Sequence, residues 1–139
     1  MSRIYFTDRD LGKKFPQILV DAGLAVERHA DLFPPDGPDE QWLGHCGKNG
    51  RIAITHNQRI RYTPNELAAV VRYRVALLVV IGQAPFPELA HNFVNSIRRI
   101  ERFVDTHEPP YIAKVYRAAP ADFARNATAS GSVSLWYPA

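Results

Sequence analysis

Hydrophobic residues along this chain fall into two rhythms, short unbroken runs and recurrences every three or four positions, and the two alternate from the start. Ile4-Tyr5-Phe6-Thr7 is β-branched and aromatic and fits a short buried strand. Phe15, Ile18, Leu19 and Ala22 recur at helical spacing, which predicts a helix from about Gly12 to Ala22 with Gly23 as its stop. Leu24, Val26 and Glu27-Arg28 return the chain as a second strand, and strand, helix, strand in so short a span implies a parallel right-handed crossover. Phe33 to Pro38 reads as a loop, and Asp39 opens a helix running through Cys46, as its N-cap or in its first turn. Residues 50–57 repeat the opening design, an apolar strand ending in Thr55, His56 and Asn57. After a basic loop from Gln58 to Tyr62, Thr63-Pro64-Asn65-Glu66 has the form of a capping box and predicts a helix over 64–73. Val75 to Ile81 has no polar interruption, as expected of the central strand covered on both faces. Leu89, Phe93, Ile97, Ile100 and Val104 predict one long amphipathic helix to about His107. Tyr111 to Tyr116 is expected as the final strand. The Ala-, Ser- and Gly-rich segment from Ala118 onward reads as a flexible tail, in which Leu135-Trp136-Tyr137 docks on a partner or on the domain itself.

Strands alternating with helices make an open α/β sheet, and ligands gather at the carboxyl end of such strands. Asp8 and Asp10 stand at that end of the first strand, where two carboxylates can share a hard cation such as Mg²⁺. Aspartate is also a good cap and turn residue, and position alone leaves both readings open. If the first and third strands are neighbours, Thr55, His56 and Asn57 reach the same edge. His29, His45, His56, His91 and His107 show no paired ligand spacing, which argues against a zinc enzyme. His56 alone sits at a strand end beside the acids, where it either meets phosphate or moves a proton, or simply packs.

The length suits one domain with a sizeable core, and 46% hydrophobic with 22% charged residues is ordinary for a globular chain. No apolar run is long enough to span a bilayer and the start lacks a secretory pattern, so a soluble, cytoplasmic protein without a membrane partner is expected. The single Cys46 rules out an internal disulfide and a thiolate zinc cluster; four residues after Trp42, it reads as a packing residue. Net charge is +3, and 13 of the 17 basic residues are arginine, whose bidentate fork suits phosphate. A polyanion is the indicated partner, although an acidic protein would satisfy the same surface.

The motifs Tyr5-Phe6-Thr7-Asp8-Arg9-Asp10-Leu11, Pro38-Asp39-Glu40-Gln41-Trp42-Leu43, Ile52-Ala53-Ile54-Thr55-His56-Asn57 and Arg59-Ile60-Arg61-Tyr62 together resemble the PIN-like domain superfamily, in its VapC-like toxin branch of bacterial toxin-antitoxin systems. The resemblance implies a three-layer α/β/α domain over 1–117 with a mainly parallel sheet, followed by the tail over 118–139. It implies a type II toxin, a ribonuclease restrained by a cognate antitoxin; the sequence leaves the number of subunits open, a homodimer included. Its cofactor would be Mg²⁺ or Mn²⁺, held by Asp8, Asp10 and Asp39, which generates the attacking hydroxide and stabilises charge on the phosphate. Asp8, Asp39 and Asn57 are the implied catalytic positions. Relatives usually carry Asp where this chain has Asn57, and an amide adds no negative charge. Arg9, Lys13, His56, Arg59, Arg61 and Tyr62 are the expected RNA contacts, with the arginines on the backbone and Tyr62 stacking on a base.

Overall fold

Every residue of the central strand is apolar, because that strand has a hydrophobic core on each side. The computed structural model describes residues 3–138, so the outer ends of both expected segments, at Met1, Ser2 and Ala139, lie outside the described residues. Six strands form one sheet: β1 (Ile4–Thr7), β2 (Ala25–Arg28), β3 (Ile52–Thr55), β4 (Ala76–Val80), β5 (Tyr111–Tyr116) and β6 (Ser132–Tyr137). Their order is β2-β1-β3-β4-β5-β6, with all neighbours parallel except β5 and β6.

Successive side chains of each strand point to opposite faces and enter different cores. One core joins Tyr5, Ile54, Leu78 and Val80 to Phe15 and Leu19 of α1 (Lys14–Asp21), Leu89 and Phe93 of α5 (Phe86–Asn95), and Ile100 and Phe103 of α6 (Ile97–Thr106). The other joins Phe6, Ala53, Leu77 and Val79 to Trp42, Leu43 and Cys46 of α3 (Asp39–Asn49), and to Ala69 and Val70 of α4 (Pro64–Arg72). The result is a three-layer α/β/α fold, as the resemblance implied. Cys46 is fully buried and its thiol is pushed well above the usual range by that burial, which fits packing rather than chemistry.

Three expectations are corrected. The long helix from Phe86 is two helices broken at Ser96, whose buried hydroxyl accepts the Gly131 N–H at 2.8 Å. The hydrophobic period continues across the break, so periodicity could not reveal it. Tyr111–Tyr116 is not the last strand, and the segment expected as a flexible tail carries α7 (Pro120–Arg125) and β6. β6 pairs antiparallel with β5 and brings Trp136 and Tyr137 of the apolar triplet against the α3/α4 core, while Leu135 stays exposed. The capping box does not close, since Thr63 makes no side-chain cap and Glu66 turns elsewhere. Three further short elements were not foreseen: α2 (His29–Leu32) and the 3-10 turns over Arg9–Leu11 and Gln58–Arg61. Among the described residues no helix is long and apolar enough to cross a membrane.

Candidate metal and phosphate site

The chain leaves β1 for β2 on one side and returns past β1 to β3 on the other, so the carboxyl ends of β1 and β3 flank the crevice where strand order reverses. Open α/β sheets place their ligands at such a point. The backbone N–H of Asp8 continues the β1–β3 ladder by donating to the Ile54 carbonyl at 2.9 Å, which sets Asp8 beside Thr55. A cavity of about 450 Å³ opens there, lined by Asp8, Asp10, Asp39, His29, His56 and Asn57 among others.

Asp8 is 8% exposed and held from both sides. Its Oδ1 accepts the Arg9 N–H at 2.7 Å, and its Oδ2 accepts the Thr55 hydroxyl at 2.8 Å. That hydroxyl also stands 3.2 Å from Asp10 Oδ2, but it has one proton to give. Asp10 is held instead by the His56 N–H, at 3.1 Å. Asp39 sits in the first turn of α3, after Pro38 as N-cap, and its Oδ1 accepts the Trp42 indole N–H at 3.0 Å. The same indole stacks on Phe6 at 5.5 Å, so a core contact aims the carboxylate.

These acids disturb one another. Burial raises the pKa of Asp8, and the Asp39 charge adds to it, against the hydrogen bonds from Thr55 and Arg9. Burial and the Asp8 charge push Asp10 up to about 7. Its surface is partly open at the cavity mouth, so water moderates the effect. A fourth acid joins them. Glu66 on α4 lies close enough to Asp39 to share a proton, its Oε1 is buried without a partner, and burial together with Asp39 pushes it up to about 7.

Glu66 was missed because its spacing from Thr63 matched a cap. His29 was missed too: it is 4% exposed, lines the cavity with Nδ1 unpartnered, and lies near enough for its charge to lower the Asp8 pKa. No sequence signal marked it, since it lies in the unforeseen α2.

Among the described residues, no three His, Cys, Asp or Glu side chains stand close enough to enclose a metal ion by themselves. The donor set nonetheless fits Mg²⁺, which keeps several waters and takes one or two carboxylates together with phosphate oxygens. Its oxygen-only acids and the buried, unpartnered Glu66 Oε1 suit a hard cation.

The expected RNA contacts divide. Arg9 lines the acid cavity, and Arg9, Lys13 and Arg28 line an adjoining groove of about 300 Å³ that reaches Asp8. His56 lines the acid cavity and ties its Nε2 to the Gly82 carbonyl at 3.0 Å. Asn57 also lines it, but its Oδ1 accepts the Arg59 N–H at 3.0 Å and so caps the turn over Gln58–Arg61. Arg59, Arg61 and Tyr62 do not line it. Arg61 instead packs over the rings of Tyr62 and Tyr137 at 5.4 and 4.7 Å, while Tyr62, 71% exposed, meets Trp136 edge-on at 5.8 Å. Lys114 lies over Trp136 at 4.2 Å, which completes a second, cationic and aromatic surface.

Among family models, the one described as a PIN like domain matches residues 4–82, more than half of the chain. No curated protein matches it. No solved structure matches it either.

Proposed function

We propose a metal-dependent endoribonuclease, and the premise is that this chain belongs to the PIN-like domain family, whose members are generally nucleases. The observation that carries the finer reading is the crowding of Asp8, Asp10 and Asp39 around one crevice with Glu66 against Asp39, where burial and neighbouring carboxylates raise the pKa of Asp8, Asp10 and Glu66. Carboxylates that repel each other in a partly dry site gain most from a divalent cation.

Asp8 and Asp39 are the direct holders in this proposal, with Asp10 and Glu66 behind them as direct or water-mediated partners. When bound, Mg²⁺ or Mn²⁺ supplies an activated water and neutralises charge on the phosphate under attack. The Thr55 hydroxyl and the Arg9 N–H fix both oxygens of Asp8, so its orientation does not relax when substrate arrives. Trp42 does the same for Asp39. Arg9 and Lys13, on the adjoining groove, receive the flanking phosphates of the RNA strand. We extend the proposal to a type II toxin restrained by a cognate antitoxin, on the strength of the sequence motifs. Expression of the chain alone should then arrest growth, and co-expression of the antitoxin should relieve it.

Asn57 favours a second reading, an RNA-binding protein of weak or no turnover, because its side-chain oxygen is engaged by Arg59 and brings no charge. Calorimetric titration with Mg²⁺ and Mn²⁺, run beside cleavage of an RNA panel, separates the two. The first reading expects metal binding and cleavage, both lost in Asp8→Asn, with turnover falling about 100-fold or more. RNA binding without turnover selects the second, and turnover unchanged in a folded Asp8→Asn variant overturns the assignment of Asp8.

A further inference from the structure

Beside the acid cavity lies a second one of about 450 Å³, formed where the carboxyl ends of β4 and β5 meet α7. Ile81, Gly82, Tyr116 and Arg117 line it from the sheet side, Phe123 and Ala124 from α7. The two cavities share a wall. His56 lines the first and holds the carbonyl of Gly82, which lines the second, at 3.0 Å.

That wall is built firmly. Buried Asn92 donates its Nδ2 to the Tyr116 carbonyl at 3.1 Å and accepts the Ala118 N–H at 3.1 Å. Gly82 has φ +130°, a backbone conformation that favours glycine, and the Arg117 side chain lies over it, with Nε 2.7 Å from where a Cβ would stand. The nearest carboxylate, Glu88, is 3.8 Å from Arg117, too far for a hydrogen bond.

Apolar and aromatic walls with one loosely paired guanidinium suit a flat ring with a polar rim. An apolar side chain of a protein partner would leave Arg117 unused, and a simple anion would leave the walls unused. A nucleotide's base is joined to its phosphate through one sugar. An RNA strand with a phosphate at the acid cavity can therefore lay a neighbouring base across the wall that the two cavities share.

We propose that this second cavity accepts the nucleobase flanking the scissile phosphate and so selects the cleavage position. The proposal rests on the ribonuclease reading and adds a specificity site to it. Arg117 reaches the polar rim of the base, while Tyr116 and Phe123 cover its faces.

Two readouts test it with the full chain. In metal-free buffer, a short single-stranded RNA and the same strand with one abasic nucleotide are titrated against wild type, Ala124→Trp, which fills the cavity, and Phe123→Ala, which opens it. With Mn²⁺, cleavage of bis(p-nitrophenyl) phosphate, a diester without a base, is followed alongside cleavage of RNA. Wild type should bind the base-bearing strand about 10-fold tighter than the abasic one, and both variants should lose that preference. RNA cleavage by the variants should fall by a similar factor, with baseless diester turnover unchanged. No preference in wild type, or full preference retained in both variants, overturns the subsite. Cleavage of neither substrate with the base preference intact instead overturns the ribonuclease reading and leaves a nucleotide-binding cavity. If Ala124→Trp fails to fold, Phe123→Ala, on an exposed side chain, carries the test alone.

Discussion

Replacing Glu66 with glutamine should stabilise the metal-free protein at alkaline pH and weaken it as a metal binder, two opposite effects of one lost charge. Glu66 is raised from 4.5 to about 7 by burial and by Asp39. Between those two values the folded state holds a proton that the unfolded chain has released, so wild-type stability falls as pH rises from about 4.5 to about 7. The penalty is absent below the first value and complete above the second. At about 1.4 kcal/mol per unit the full shift would amount to some 3 kcal/mol, and partial exposure of the side chain reduces this to about 1–2 kcal/mol. Glutamine keeps the size and removes the charge. Urea unfolding in EDTA at pH 5 and pH 8 should thus show little change at the lower pH. At the higher pH the variant should gain about 1–2 kcal/mol, a rise in Tm of several degrees. With Mg²⁺ added, the order should reverse, because wild type gains more linkage stabilisation from its tighter binding. Equal effects at both pH values, or destabilisation at pH 8, would refute the placement of Glu66 against the other acids.

Trp42→Phe should retain the stacking on Phe6 but leave the Asp39 carboxylate without its N–H donor; metal affinity should fall by roughly 10–100-fold while a far-UV spectrum stays unchanged. Asn57→Asp keeps an oxygen to cap the turn over Gln58–Arg61 and adds a charge to the cavity, so calorimetry should show Mg²⁺ binding tightened by about 10-fold. Weaker binding would mean that the extra carboxylate repels Asp8 more than it attracts the cation. Gly131→Ala would put a Cβ 1.7 Å from the Tyr116 carbonyl oxygen, and a loss of about 1–3 kcal/mol in urea unfolding should follow if the C-terminal strand belongs to the cooperative unit.

Five of the six strands and the helices α1, α3 and α4 were legible because their signals are local. Ile4 to Thr7 and Val75 to Ile81 announce buried strands by composition, and Gly23 and Pro38 punctuate them at positions where the backbone turns. Asp8 and Asp10 were legible as a pair through their place at the end of the first strand, whereas Asp39 read by itself only as a cap or first-turn residue and joined them through the resemblance alone. Glu66 was hidden by its own neighbourhood: Thr63-Pro64-Asn65-Glu66 has a satisfactory local explanation as a cap, and only the pairing of α4 with α3 turns the carboxylate toward Asp39. Ser96 and β6 share a cause. Their partners, Gly131 and β5, lie far along the chain from Ser96 and from the last strand respectively, and no short window holds both members.

The strand β6, zipped to β5 by antiparallel pairing, divides the labour of the molecule along its length. The four acids occupy positions 8 to 66, within the stretch that matches the family, whereas Tyr116, Arg117 and Phe123, proposed to hold the base, lie beyond the end of that match at residue 82. The acids and the side chains proposed to choose the substrate thus come from separate parts of the chain, joined at the wall that Gly82 forms. Exchanging the segment after β5 between proteins of this architecture would then retarget cleavage without rebuilding the acids, provided that the incoming strand finds the same edge of the sheet.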